Sequence, residues 1–172
     1  MEQVAVRSRR EMNKARTRAA IMKAARGSFA AVGVAGATMD QIADAAEVSR
    51  ATLFNYFSSK ADIVAALVEQ LDADFLQLIE HYRTQPLSTA ERIVGIFTDS
   101  GNSLEKRRDT LRPLVMISEQ SWAERHGIVR LARLTDAFER LLVEVTDVRR
   151  DADARLLAEI LVSIYILSLI HI

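Results

Sequence analysis

Two prolines and six glycines in 172 residues leave very little that can break a helix. Proline removes a backbone donor, and glycine costs about 1 kcal/mol relative to alanine in a helix interior. Long stretches rich in Ala, Leu, Glu, Arg and Ile run between these few breakers, and no segment alternates apolar and polar residues for long enough to compete as a strand. An all-α fold is expected. Hydrophobic residues make up 49% and charged residues 27%, which is enough apolar material for a core and excludes a disordered chain.

The helices are bounded by recognisable end signals. Residues 1–13 are polar and basic, with Arg7, Arg9 and Arg10, and read as a flexible arm. From Lys14 to about Val32, Ile21, Ala24, Ala25, Ser28 and Phe29 recur at helical spacing, and Gly33 and Gly36 then break the helix. Thr38 and Gln41 form a capping box for a second helix over Met39–Ala46, in which each side chain satisfies a free backbone N–H. Glu47 and Val48 make a turn, and Ser49 caps a short third helix ending near Phe57. Ser59 and Asp62 begin a long fourth helix to about Arg83, and Ser88 and Glu91 box a fifth to about Lys106. A sixth is expected from Asp109 to Trp122, a seventh from Ala123 or Gly127 to Arg149, and an eighth from Asp151 onward.

Charge is unevenly spread along this series. Residues 1–60 hold ten Lys or Arg against five Asp or Glu, and residues 61–172 hold thirteen against eighteen. A head of net +5 on a body of net −5 suggests that only the head meets a polyanion. The chain has no cysteine, so neither a disulfide framework nor a thiolate metal site is possible, which fits a reducing cytoplasm. Phe29–Ala37 loosely resembles a signal-peptide core ending in Ala35-Gly36-Ala37. It is short and Gly-rich, and Lys23 and Arg26 interrupt the run before it. The uncharged run from Ile160 to Ile172 is 13 residues, short of the ~20 that span a bilayer. No membrane association is expected.

Function is carried between residues 38 and 60. A helix-turn-helix needs small or apolar residues where its helices touch and polar residues where the second faces the groove. Ile42, Ala43, Ala46 and Val48 supply the inner side. At about 100° per residue, Leu53, Phe54 and Phe57 fall on one apolar arc of the third helix. Ala51, Thr52, Asn55 and Tyr56 lie opposite, a set of groups suited to base edges and phosphates. Arg50 points nominally inward, but its long side chain can swing out from the first turn. Lys60 adds a cation immediately after this helix.

The run from Thr38 to Lys60 resembles the signature of the TetR family of transcriptional regulators, and Ile21, Ala24, Ala25, Phe29 and Gly33 sit where that family places its first helix. The resemblance covers about residues 15–65. It implies an N-terminal three-helix DNA-binding domain over residues 1–60 and a larger helical effector-binding and dimerisation domain over 61–172. Carried over, it gives Thr38 to phosphate, Arg50, Ala51, Thr52 and Asn55 to bases, and Tyr56 and Lys60 to the DNA backbone, with Leu53 and Phe57 structural. Glu47 stands where the family most often has Gly, so a positive φ there would carry strain. Phe54 replaces the commoner Tyr and loses a hydroxyl.

Residues 61–172 carry no motif of their own. The resemblance implies a homodimer formed through the last two long helices and a repressor released from double-stranded operator DNA by a small-molecule effector of unknown identity. Effector contacts are sought among Phe75, Phe97, Leu114, Met116, Ile117, Trp122, Leu134 and Phe138, with Phe97, Met116, Trp122 and Phe138 foremost; all are equally ordinary core residues. His81, His126 and His171 are far apart, so no metal site is expected, and Lys106-Arg107-Arg108 reads as a solvated helix end. Leu156, Leu157, Ile160, Leu161, Ile164, Leu167 and Leu169 make the last helix apolar on more than one face, which pairing with a second subunit would cover. Relatives usually continue through another helix, so the chain is expected to be truncated or unusually short at Ile172. No catalytic triad order, phosphate loop or metal-spaced cluster occurs, so neither enzymatic activity nor a cofactor is expected. The alternative reading is a helical protein-interaction module that does not bind DNA.

Overall fold

The computed structural model describes residues 9–111, 127–143 and 153–171, and among these every regular element is a helix. They are α1 (Arg9–Gly36), α2 (Met39–Ala45), α3 (Arg50–Tyr56), α4 (Lys60–Arg83), α5 (Thr89–Lys106), α6 (Gly127–Val143) and α7 (Ala154–Ile170). A further helical segment begins at 108–111; the rest of the sixth helix expected from the sequence lies outside the described residues, as do residues 144–152. The described residues form two compact units that divide between Ala66 and Leu67.

In the first unit, α1 starts at Arg9, so residues 9–13 of the expected flexible arm are helical. Residues 9–16 are all exposed, and this stretch is held by helix formers and by the Thr17 hydroxyl, which donates to the Asn13 carbonyl at 3.0 Å. The expected break falls at Gly33, with φ 72° and ψ 166°, a conformation open to glycine. Ile21, Ala25 and Phe29 of α1, Ile42 and Ala43 of α2, Leu53 and Phe57 of the α3 region, and Ile63 of α4 are all buried, with α1 packed on α2 and α2 on α3. Full burial of such side chains contributes about 1.5–3 kcal/mol each.

The second unit is built on an aromatic centre. Phe75 of α4 stacks on Tyr165 of α7 with centroids 3.7 Å apart and planes 5° from parallel. It also meets Phe138 of α6 edge-on at 5.9 Å and Phe97 of α5 at 6.3 Å. Leu67, Val68, Leu71 and Ile79 extend this centre along α4, and Ala158, Val162 and Leu169 extend it along α7. Gly95 of α5 lies under the Tyr82 ring, whose hydroxyl donates to Asp99 at 2.8 Å; a Cβ at Gly95 would run into that ring.

One ion pair is buried here. Arg130 donates to Asp72 from Nε and from Nη2, the latter at 2.9 Å, and Asp72 is 5% exposed. Burial pushes the Asp72 carboxyl above its ordinary value, and Arg130 opposes that shift only in part. Because the folded value is raised, the favourable contribution is complete below the unfolded carboxylate value and is lost as pH rises through the folded one. Arg130→Met is expected to cost about 3–5 kcal/mol at neutral pH by leaving the carboxylate without this partner. Urea unfolding at a series of pH values checks this: the deficit should shrink as the pH is lowered and Asp72 takes up a proton.

Candidate nucleic-acid interface

The helix-turn-helix is fixed locally before any packing. Thr38 is the N-cap of α2: its Oγ1 accepts from the Gln41 N–H at 3.2 Å, and the Gln41 Oε1 accepts from the Thr38 N–H at 3.0 Å. α2 is closed by Glu47 N–H donating to the Asp44 carbonyl and Val48 N–H to the Ala43 carbonyl, both at 3.0 Å. Glu47 makes this turn at φ 54°, the left-handed conformation its place in the turn requires and one that a side chain disfavours. Ser49 then caps α3 by accepting from the Thr52 N–H at 3.1 Å, and the two hydroxyls lie 2.8 Å apart. Thr52 is thereby held in one orientation.

The inner and outer faces of α3 separate sharply. Leu53 is fully buried and Phe57 nearly so, while Arg50, Ala51 and Asn55 are exposed and Thr52 and Tyr56 half-buried. Thr38 is also exposed. Phe54 departs from the expected apolar arc: it is 40% exposed. An α-helix of seven residues docks through one i, i+4 pair, Leu53 and Phe57, and Phe54 lies about 100° round from Leu53, beyond the edge of that contact. The Arg50 guanidinium instead sits over its ring at 5.4 Å and pairs through Nη1 with Asp40 Oδ2 at 2.9 Å. Across the domain, Arg18 of α1 stacks on Phe57 at 4.5 Å from the ring centre.

Lys60, which the resemblance gives to the DNA backbone, is engaged within the domain. Its ammonium donates to the carbonyls of Val34 at 2.8 Å, Ala35 at 3.1 Å and Ala37 at 2.7 Å. Three orphan acceptors at the end of α1, whose last turn has no cation of its own, are satisfied by a lysine from the start of α4. All three of its donors are therefore engaged within the domain. Just beside it, Asp62 accepts from the Ser58 N–H at 3.1 Å and from the Ser58 hydroxyl. That hydroxyl, ahead of the Ser59 contacts, holds the Asp62 carboxyl below its ordinary value.

Sequence reasoning did not single out Asp40, Arg18 or the exposure of Phe54. The signal for Asp40 was available in principle, since an acid in the first turn of α2 and a base in the first turn of α3 stand on either side of a short turn.

In the second unit, Phe138 is fully buried and Phe97 half-buried, and their rings stack at 6.0 Å with planes 6° apart. Phe75 and Leu134 are likewise buried. Met116 and Trp122, with Leu114 and Ile117, lie outside the described residues. A cavity of about 50 Å³ remains beside Leu71, Phe75, Ser100, Leu104 and Tyr165. A more open groove of about 300 Å³ runs along Leu76, Ile79, Arg133, Ala137 and Arg140. Among the described residues there is no cluster of groups that could hold a metal ion, and no helix is long and apolar enough to cross a membrane.

Residues 21–67 match the family model of bacterial regulatory proteins of the tetR family. No curated protein matches the chain in sequence. Among solved structures, it is similar to the transcriptional regulator FadR from Bacillus subtilis, solved with stearoyl-CoA, at 18% identity over 89% of this chain and 85% of that one, with a TM-score of 0.74. It is similar also to Thermus thermophilus FadR, a TetR-family transcriptional repressor solved with lauroyl-CoA, at 23% identity over 90% and 81%, TM-score 0.68. A complex of SmeT with triclosan shows 26% identity over 90% and 78%, again with a TM-score of 0.68. The structural likenesses extend well beyond the matched helix-turn-helix. Residues 21–67 thus carry the helix-turn-helix segment of the tetR family of bacterial regulatory proteins, and the helical fold around it is shared with regulators of that kind.

Proposed function

We propose that the protein is a cytoplasmic, homodimeric repressor that holds double-stranded operator DNA and is released from it by a small-molecule effector with a large apolar part. The observation that carries the reading beyond DNA binding is an uncovered apolar stripe on α7. Leu156, Ile160, Ile164 and Leu167 recur at spacings of four, four and three residues and are 47–55% exposed. The opposite face of the same helix, Ala158, Val162, Tyr165 and Leu169, is buried. A helix apolar on both faces is stable in water when both are covered, and a two-fold axis lays one such stripe on its copy. Two DNA-binding units then address two half-sites, as the symmetry of such operators requires.

In each head, Thr38 and Tyr56 would hold phosphates, and Arg50, Ala51, Thr52 and Asn55 would face bases. The effector class is taken from the relatives, whose partners are acyl-CoA thioesters and triclosan. Phe97 and Phe138 would contact it, and both would have to move, because the space beside their cluster is far below the ~300 Å³ or more of an ordinary ligand site. Effector and operator affinities are then linked by one reciprocal coupling free energy.

Selection of bound sequences from a random duplex pool tests the first half of the proposal. An inverted repeat is expected, with affinity falling steeply with salt at a slope of about −0.9 per phosphate contacted. Titrating acyl-CoA thioesters of graded length and triclosan into the preformed complex tests the second. Release by one of these supports the effector class, and tight operator binding indifferent to all of them overturns it.

A further inference from the structure

The pair formed by Asp40 and Arg50 has no evident structural purpose. Both side chains are largely exposed, at 57% for Asp40 and 68% for Arg50. Exposed pairs stabilise a fold little, the median being about 0–1 kcal/mol. α2 and α3 are already fixed by two caps, the closed turn and the burial of Ile42, Ala43 and Leu53. What the pair does fix is the guanidinium. Asp40 takes Nη1 at 2.9 Å, and the Phe54 ring lies beneath the guanidinium carbon at 5.4 Å. One edge of the group, Nε and Nη2, is left to point elsewhere.

From this geometry we infer that Asp40 is a specificity-determining residue. It positions Arg50, over Phe54, to read one guanine in each half-site, an inference that rests on α3 being the DNA-reading helix. An arginine edge matches the O6 and N7 acceptors of guanine in the major groove, and that match is bidentate only when the plane and direction of the fork are set. A free arginine in the first turn of α3 would reach a phosphate as readily as a base. Tethering by a carboxylate disfavours that use in two ways: it removes the rotational freedom of a long side chain, and it places a negative charge where a phosphate would approach. Asp40 therefore weakens binding to DNA in general and strengthens discrimination at one position. The same carboxylate in the first turn of α2 also favours the helix dipole, but that effect carries no information about base sequence.

The two effects are separated by measuring base preference and affinity together. Wild type, Asp40→Ala, Arg50→Ala, Asp40→Ala with Arg50→Ala, Thr52→Ala and Asn55→Ala are each passed through random-duplex selection. Their affinities for the selected operator and for an unrelated duplex are measured at fixed salt. Arg50→Ala is expected to relax a guanine preference of roughly tenfold or more at one position per half-site. Asp40→Ala should relax the same position severalfold while raising affinity for the unrelated duplex severalfold, and the double variant should relax that position no further than Arg50→Ala alone. Circular dichroism melts should show Asp40→Ala folded with nearly unchanged stability. An unaltered guanine preference in Asp40→Ala, or relaxation at a different position, overturns the inference. So does an Arg50→Ala variant with wild-type preference while Thr52→Ala or Asn55→Ala alters it, in which case α3 still reads DNA. If none of the α3 variants changes preference, the reading of α3 itself fails as well.

Discussion

Replacing Ile160 and Ile164 together by Asp is expected to leave a folded monomer that has lost nearly all operator affinity. Both side chains are about half exposed on the α7 stripe, so the substitutions do not open the buried core on the other side of that helix. Covering four half-exposed large aliphatic side chains on each of two subunits is worth on the order of 6–12 kcal/mol in area removed from water. Part of that is offset by the lost freedom of association. Four carboxylates facing one another across the two-fold axis would reverse the balance, because each would have to be desolvated beside a like charge. Sedimentation velocity should show a change from dimer to monomer, and far-ultraviolet circular dichroism should show unchanged helicity. Operator affinity should fall roughly 10²–10⁴-fold, since binding of the second half-site ceases to be intramolecular. A variant that remains dimeric at micromolar concentration would mean that α7 is covered in some other way.

The second large effect is expected at Lys60. Were it a phosphate contact alone, Lys60→Met would leave the domain's stability intact and reduce the salt slope of operator binding by about 0.9. The structure leads to a different expectation. The methionine keeps the aliphatic stem but removes the three hydrogen bonds to the carbonyls of Val34, Ala35 and Ala37, and it removes the positive charge at the end of α1. Hydrogen bonds to a charged group contribute about 1.5–3 kcal/mol, and the stranded carbonyls raise the cost where water does not reach them. For a unit of this size each kcal/mol shifts the midpoint by about 4–8 °C. The unfolding transition of the DNA-binding unit should therefore fall by roughly 10 °C, with operator binding lost in parallel as that unit unfolds and largely restored on cooling. Lys60→Arg, which keeps charge and donors with a different reach, should fall in between. A midpoint equal to wild type, with a salt slope lowered by one phosphate, would return Lys60 to the DNA backbone.

The α7 stripe and Lys60 mark where reading the chain alone succeeded and where it stopped. The stripe on α7 was visible as an excess of Leu and Ile on several faces, because helical periodicity is a property of the sequence. Which of those faces is open depended on where Phe75 and Phe138 came to lie, and so on contacts between helices far apart in the chain. The boundaries of α2, α3 and α5 were legible for the same local reason. Thr38 with Gln41, Ser88 with Glu91 and the lone cap at Ser49 satisfy backbone donors within three residues of themselves. The strained turn at Glu47 was legible too, as a side chain standing where glycine is commoner.

The roles of long polar side chains were not legible. Lys60 reaches carbonyls 23 to 26 residues away, Arg50 finds Asp40 ten residues back, and Arg130 finds Asp72 58 residues back. A flexible cation can be assigned to any acceptor within several ångströms, and the fold alone decides which acceptors are that near. Backbone periodicity and capping thus determined the all-α architecture and the helix-turn-helix from sequence. The tertiary structure decided which cations on that surface are committed within the protein and which face of α3 is left exposed, because electrostatic partners are chosen by distance in space and the sequence records only distance along the chain.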